Sequence, residues 1–320
     1  MKAIRVHEHG GPEVLVLHDV PEAVAGDGLV LVRLEASGVN FVDVYHLTGL
    51  YPRDLPFVPG SEGAGVVVDA AEGSGFRPGD RVASARFPGA YAEAVAAPAD
   101  ALVPVPDDVP THLAAAVMVQ GMTAHYLLNS TCELDAGDWC VVHAAAGGVG
   151  LLLTQMARSQ RLRVLGTVST AAKAERAAAA GAEVTVVYGD RDFVDVAREV
   201  TDGRGVRAVF DGIGKDTFEG SLDCLAPRGY MVLYGQASGV VPPMDPRRLA
   251  QGSLFLTRPG IADYTQTRDE MLWRAGDVLA AVGAGTLNVH VHGRYPLAEA
   301  ARAHEDLQSR KTTGKLLLVP

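Results

Sequence analysis

The chain has 320 residues, 48% hydrophobic and 21% charged, which gives ample material for buried cores and excludes a disordered chain. Lysine and arginine number 28 against 38 aspartate and glutamate, a net charge of −10. That balance argues against nucleic acid or an anionic membrane as the main partner, since both need a basic surface.

The length predicts two domains. Met1 to Val6 alternates as a strand does, with no charged-then-apolar leader. Up to about Pro110 the chain shows short β-type runs broken by Pro-Gly and Gly-Asp pairs: Leu29–Leu34, Gly65–Val68 and Tyr91–Val95. This predicts a small antiparallel barrel or sandwich. From about Thr111 the texture changes. Thr111 is placed to cap a helix over Leu113–Tyr126. Apolar strands at Trp139–Val142, Leu162–Val168, Val184–Val187, Val206–Phe210 and Tyr230–Tyr234 then alternate with helices. Those helices fall at Gly150–Arg161, Ala171–Ala180 (closed by Gly181), Asp192–Thr201 and a stretch reaching about Ala226. The alternation predicts a parallel, doubly wound sheet covered on both faces. After Pro259 come helices at Arg268–Ala281 and Leu297–Gln308 and a strand at Lys315–Val319. This last zone is too small for a domain and is expected to return to the first. The longest apolar run, Ala144–Leu153, holds three glycines and falls short of the roughly 20 residues that a membrane span needs. Cys132, Cys140 and Cys224 form no C-x-x-C motif, and the expected setting is the reducing cytoplasm.

The first apolar strand of the alternating region runs into Ala144-Ala145-Ala146-Gly147-Gly148-Val149-Gly150 and then a helix. Strand, glycine-rich turn and helix is the context a dinucleotide site requires. Gly147 lets a pyrophosphate approach the backbone, Gly150 lets helix and strand pack closely, and the helix N-terminus offers N–H groups to phosphate. About 20 positions on, an acidic residue would hold the ribose 2′-hydroxyl of NAD. Here the segment reads Thr167-Val168-Ser169-Thr170, with Lys173 one turn into the next helix and Arg176 nearby. A lone lysine there would be an ordinary solvated residue. With no carboxylate to repel it, a 2′-phosphate held by Ser169 and Lys173 is the better reading, and the cofactor expected is NADPH. His7/His9 and His290/His292, each pair expected on one strand face, have no further converging ligands and are read as ordinary strand histidines.

The order of a strand-rich segment, a nucleotide-type segment and a late return resembles the medium-chain dehydrogenase/reductase superfamily. Many of its members bind catalytic zinc through Cys in Gly-Ile-Cys and His in Pro-Gly-His-Glu. This chain has Gly38-Val39-Asn40 and Pro59-Gly60-Ser61-Glu62, and no four-Cys lobe. Amide and hydroxyl groups are poor zinc ligands, so no metal is expected. The match extends over the chain through His9–Leu15, Gly38–Asp43, Thr48–Pro52, Gly79–Val82, His143–Gly150, Gly166–Ser169, Ser221–Leu225 and Leu256–Pro259. These segments resemble the zinc-free quinone oxidoreductase (zeta-crystallin-like) family.

The resemblance implies an α/β fold in which a Rossmann doubly wound parallel sheet, residues 120–262, is inserted in a GroES-like β-barrel catalytic domain, residues 1–119 plus 263–320. It implies that Ala146, Gly147, Gly148, Val149 and Gly150 form the phosphate loop. Lys173 and Tyr188 would clamp the 2′-phosphate, with Ser169 alongside. Asn40 and Thr123 would lie near the nicotinamide ribose and amide, and Tyr234, Gly235, Gln236 and Arg258 would border the nicotinamide half. The family often has Asn-Ser where this chain has Gln236-Ala237. Arg310 and Lys315 would complete the pocket. A homodimer is implied as well. The expected reaction is hydride transfer from NADPH to a quinone or other conjugated carbonyl, with Asn40, Tyr45 and Tyr51 lining the acceptor pocket. The tyrosines are read as walls rather than proton donors. Two alternatives stay open: an enoyl or alkenal double-bond reductase on the same scaffold, and an NADPH-binding protein with low turnover.

Overall fold

The computed structural model describes residues 1–26 and 28–320. The chain divides into two compact units, Met1–Met122 with Thr267–Pro320, and Thr123–Gln266.

The first unit opens with β1 (Lys2–Arg5), paired antiparallel with β2 (Val16–Asp19). Next come β3 (Leu29–Val39), α1 (Phe41–Leu47), β4 (Glu62–Ala70), β5 (Arg81–Ser84), β6 (Ala94–Pro98) and β7 (Val103–Pro104). β3 alternates along its first half: Val30, Val32 and Leu34 are buried against Val67, Val82, Val95 and Leu102, while Arg33 and Glu35 face solvent. From Ala36 to Val39 every residue is buried, so this strand end runs into the interior and delivers Asn40 there. The long helix α2 (Thr111–Asn129) contains the boundary between the units.

The second unit alternates strand and helix: β8 (Trp139–Val142), α3 (Gly148–Ser159), β9 (Arg163–Val168), α4 (Ala171–Ala180), β10 (Val184–Val187), α5 (Phe193–Val200), β11 (Val206–Asp211), α6 (Phe218–Asp223), β12 (Leu225–Leu233) and β13 (Phe255–Thr257). The six strands are parallel in the order β10-β9-β8-β11-β12-β13. Strand order reverses beside β8, and a doubly wound sheet binds ligands at the carboxyl ends around such a reversal. The core is apolar, with Val141, Leu165, Val209 and Met231 fully buried. Helix ends follow local chemistry. The Thr170 hydroxyl accepts the Lys173 N–H at the start of α4, and Gly181, at φ +116°, ends it.

The chain then returns to the first unit with α7 (Arg268–Gly283), β14 (Val291–Pro296), α8 (Ala300–Gln308) and β15 (Lys315–Val319). Its sheet runs β14-β15-β3-β4-β5-β7, with β6 also on β3. It is mostly antiparallel; β14 and β15 are parallel.

Several expectations need correction. Thr111 is inside α2 rather than its cap, and the Pro110 carbonyl accepts the Ala114 N–H. The helix expected to reach Ala226 stops at Asp223, because β12 already begins at Leu225 and Pro227 disfavours helix just before it. Tyr91–Glu93 is not strand; its backbone groups bond to Pro59, Ile4, Lys2 and Leu34 in turn. Neither histidine pair shares a strand, since β1 ends at Arg5 and β14 begins at Val291. His7 packs on His18 instead, with ring centroids 5.1 Å apart. Among the described residues no helix is long and apolar enough to cross a membrane.

Candidate functional site

β8 ends at Val142, and the loop after it turns through Ala144 at φ +50°, with the Gly147 N–H closing on the Ala144 carbonyl at 2.8 Å. α3 starts at Gly148, so Gly148, Val149 and Gly150 occupy the first helical turn, whose N–H groups lack intrahelical acceptors. A Cβ on Gly150 would collide with the Ala144 carbonyl oxygen and lie 2.8 Å from Ala145 Cα. The glycine is therefore what allows α3 to sit against the loop with its N-terminus at the carboxyl end of β8. A helix start so placed suits a pyrophosphate by its N–H groups and its dipole.

At the end of β9, Ser169 is exposed and Lys173 half-buried; burial draws the ammonium below its ordinary pKa. Tyr188 follows β10, but its hydroxyl is turned inward, 2.5 Å from Thr167 Oγ1 and 2.9 Å from His143 Nδ1. His143 is fully buried, and burial lowers its pKa, which favours the neutral imidazole. Ser221 Oγ donates to the Thr217 carbonyl at 2.7 Å, so His143 Nε2 donates to Ser221 Oγ at 3.0 Å and Nδ1 accepts from the Tyr188–Thr167 pair. Asp211, at the end of β11, accepts the Ile213 and Gly214 N–H groups at 2.7 and 3.0 Å and the Thr217 hydroxyl at 2.7 Å. A buried polar network thus ties together the carboxyl ends of β8, β9 and β11 and the start of the segment after β10.

After β12, the Tyr234 and Gly235 N–H groups bond to the Asp211 carbonyl at 2.9 and 3.3 Å. A Cβ on Gly212 would meet the Tyr234 ring at 2.9 Å, and one on Gly235 would lie 2.6 Å from the Gly212 carbonyl oxygen. Two loops pack backbone to backbone here, with Gln236 accepting the Gly239 N–H. Arg258, just past β13, donates to the Leu233 carbonyl at 3.1 Å. Thr123 is buried on α2. The glycine loop, Ser169, Tyr188, Tyr234–Gln236 and Arg258 therefore all follow the carboxyl ends of strands of the parallel sheet.

In the first unit, Asn40 is buried at the head of α1. Its Nδ2 donates to Glu62 Oε2 at 2.8 Å, and its Oδ1 accepts from Lys315 Nζ at 2.7 Å. Lys315 also pairs with Glu62 Oε2. Lys315 is thus a buried partner of Asn40 and Glu62, and Arg310 is exposed in the turn before β15. Tyr45 and Tyr51 pack edge to face at 5.2 Å, and the Tyr51 N–H bonds to the Tyr45 carbonyl at 3.0 Å. Deeper still, Asp43 Oδ2 accepts the Asn40 N–H at 2.9 Å and the Tyr91 hydroxyl at 3.0 Å. Burial pushes the Asp43 carboxyl up to about 6 and pulls His304 down to about 4. With the Tyr91 hydroxyl donating to Asp43, His304 Nε2 donates to the Tyr91 oxygen at 2.9 Å, and its Nδ1 has no partner among the described residues.

Asp43, Tyr91, Glu62, His143, Asp211 and His304 were not singled out from sequence. Only Asp43 had a local signal, the carboxylate three residues after an asparagine cap. The donor set around Asn40 does not fit zinc: a carboxamide and a carboxylate are already satisfied by an ammonium, and Ser61 offers only a hydroxyl. Among the described residues no group of three or more His, Cys, Asp or Glu could hold a metal ion.

Two family models match, the alcohol dehydrogenase GroES-like domain over residues 26–107 and the zinc-binding dehydrogenase model over residues 180–318. The chain is 43% identical over 323 residues to a quinone oxidoreductase of Pseudomonas aeruginosa, covering 100% of this chain and 99% of the relative. It is 42% identical over 330 residues to a 2-haloacrylate reductase of a Burkholderia species, covering 98% of each. A mycobacterial protein solved in complex with NADPH superposes with a TM-score of 0.97 at 49% identity, over 100% of both chains. The chain belongs to the quinone oxidoreductase family of medium-chain dehydrogenases/reductases.

Proposed function

We propose that the protein is an NADPH-dependent quinone reductase that works without metal. The observation that carries the reading is the Asn40 segment: a carboxamide fixed by two charged partners, two tyrosines packed on each other in and after the helix that it heads, and donors unsuited to a Lewis acid. The Lys315 ammonium there is already engaged by Glu62 and Asn40, so in this reading the acceptor is electrophilic through its own conjugation, as a quinone is. The similarity to a quinone oxidoreductase and to an NADPH complex supports the same reading.

NADPH, when bound, supplies the hydride. In this reading Ala146–Gly150 receive the pyrophosphate, Ser169 and Lys173 hold the 2′-phosphate with the Tyr188 ring beside them, and Thr123, Tyr234, Gly235, Gln236 and Arg258 border the nicotinamide half. Asn40 orients the acceptor oxygen. Tyr45 and Tyr51, packed edge to face, wall the acceptor pocket and exclude water, so that the reaction gains from orientation. The proton completing the hydroquinone comes from solvent. We place the protein in the cytoplasm as a homodimer; β13, an edge strand with Phe255 52% and Leu256 38% exposed, is the surface that a second copy would cover.

A second reading, reduction of an activated carbon–carbon double bond, is favoured by the similarity to a 2-haloacrylate reductase. The test is NADPH oxidation with small and tricyclic quinones, followed at the nicotinamide absorbance. Steady turnover supports the proposal. Tight NADPH binding with no turnover of any acceptor would make the protein a cofactor-binding protein instead.

A further inference from the structure

Asn40, Glu62 and Lys315 are brought together by sheet register. In the antiparallel β3–β4 pair Gly38 stands opposite Glu62, and in the β3–β15 pair Leu316 stands opposite Val39, which brings Lys315 abreast of Asn40. Gly38 leaves the space where the two charged side chains meet. A Cβ there would collide with Glu62 Oε2 and lie 2.7 Å from Lys315 Cε. Glu62 is 0% and Lys315 1% exposed, so each charge depends on the other inside the protein. Glu62 Oε1 accepts the Val119 N–H at 2.6 Å, and Oε2 takes both Lys315 and Asn40.

The consequence falls on Asn40. A carboxamide has two ends of nearly equal shape, and only its partners decide which way round it lies. Here the ammonium faces Oδ1 and the carboxylate faces Nδ2. A flip would set NH2 against NH3⁺ and C=O against COO⁻, replacing two charge-assisted hydrogen bonds by two repulsions.

We propose that Glu62 and Lys315 are positioning residues whose ion pair locks the Asn40 carboxamide in a single orientation for acceptor reduction. The inference rests on the reading of Asn40 as the group that orients the acceptor. It also gives Lys315 a task separate from cofactor binding.

The test compares Asn40→Ala, Lys315→Met and the double variant Glu62→Gln/Lys315→Met. Each is assayed for kcat and KM with 1,4-benzoquinone at saturating NADPH, for NADPH Kd, and for Tm. Lys315→Met strands a buried carboxylate, so it should lose both Tm and kcat. The double variant removes both charges, so Tm should return toward that of the parent. Its amide now lacks charged poles, so kcat should stay down by about 10- to 100-fold, the worth of charge-assisted bonds. NADPH Kd should not move. Recovery of kcat together with Tm would show a merely structural pair and overturn the proposal. A weakened NADPH Kd in both Lys315 variants would make the lysine a cofactor ligand and overturn it too. An Asn40→Ala protein with undiminished kcat would overturn the reading of Asn40 itself, and the proposal with it.

Discussion

Gly150→Ala tests the nucleotide loop through a single added methyl group. The new Cβ would collide with the Ala144 carbonyl oxygen and sit 2.8 Å from Ala145 Cα. Both are backbone atoms of the loop after β8, and Ala145 is 0% exposed, so neither yields unless the loop or α3 moves. Overpacking of this kind costs about 1–3 kcal/mol. The displacement falls on the N-terminus of α3, where the pyrophosphate would be received. NADPH and NADH share that group, so both should weaken alike, by about tenfold for each 1.4 kcal/mol transmitted to the site. The same substitution at exposed Gly276 in α7, where a Cβ meets none of the described residues within 4 Å, should instead stabilise by about 0.5–1 kcal/mol. The assay is urea unfolding of both variants, with titration of both cofactors. A Gly150→Ala protein that unfolds like the parent and binds both cofactors unchanged would refute the close-packing argument.

Lys173→Ala should weaken NADPH by about 10- to 100-fold, the worth of a charged hydrogen bond of about 1.5–3 kcal/mol, and leave NADH unchanged; equal loss in both titrations would show that Lys173 does not read the phosphate. The Asp43–Tyr91–His304 chain predicts two opposed pH dependences of stability. Asp43 is raised to about 6, so the folded state binds the extra proton and stability falls by about 3 kcal/mol as pH rises from about 4 to 6. His304 is lowered to about 4, so the unfolded state binds the extra proton and stability rises by a similar amount between about 4 and 6.5. Urea unfolding across that range should show the rising slope alone in Asp43→Asn and the falling slope alone in His304→Gln; an unchanged profile in both variants would contradict the burial argument. A chelator such as EDTA should leave quinone turnover unchanged, and loss of activity restored by added zinc would contradict the metal-free reading.

Legibility in the sequence followed the range of the forces involved. α4 was readable to the residue because Thr170 and Gly181 act locally on its two ends. The parallel sheet was readable because strands buried on both faces must be apolar throughout. The end of α6 was not, since the onset of β12 is set by pairing with β11. The glycine loop announced itself by spacing. The Asn40–Glu62–Lys315 cluster did not, because its partners lie 22 and 253 residues apart and meet only through the register of three strands. The resemblance implied Tyr188 as a clamp on the 2′-phosphate; the inward turn of its hydroxyl depends on His143 and Thr167, which no local pattern announces.

In the proposed reaction, acceptor electrophilicity supplies what this site lacks. The most direct measurement is kcat/KM with NADPH for 1,4-benzoquinone and for 2-chloroacrylate, run side by side on the same preparation. The quinone should be favoured by at least about tenfold, a barrier difference of about 1.4 kcal/mol. If 2-chloroacrylate were the better substrate, the chain would be an activated-alkene reductase, and the quinone assignment would be contradicted.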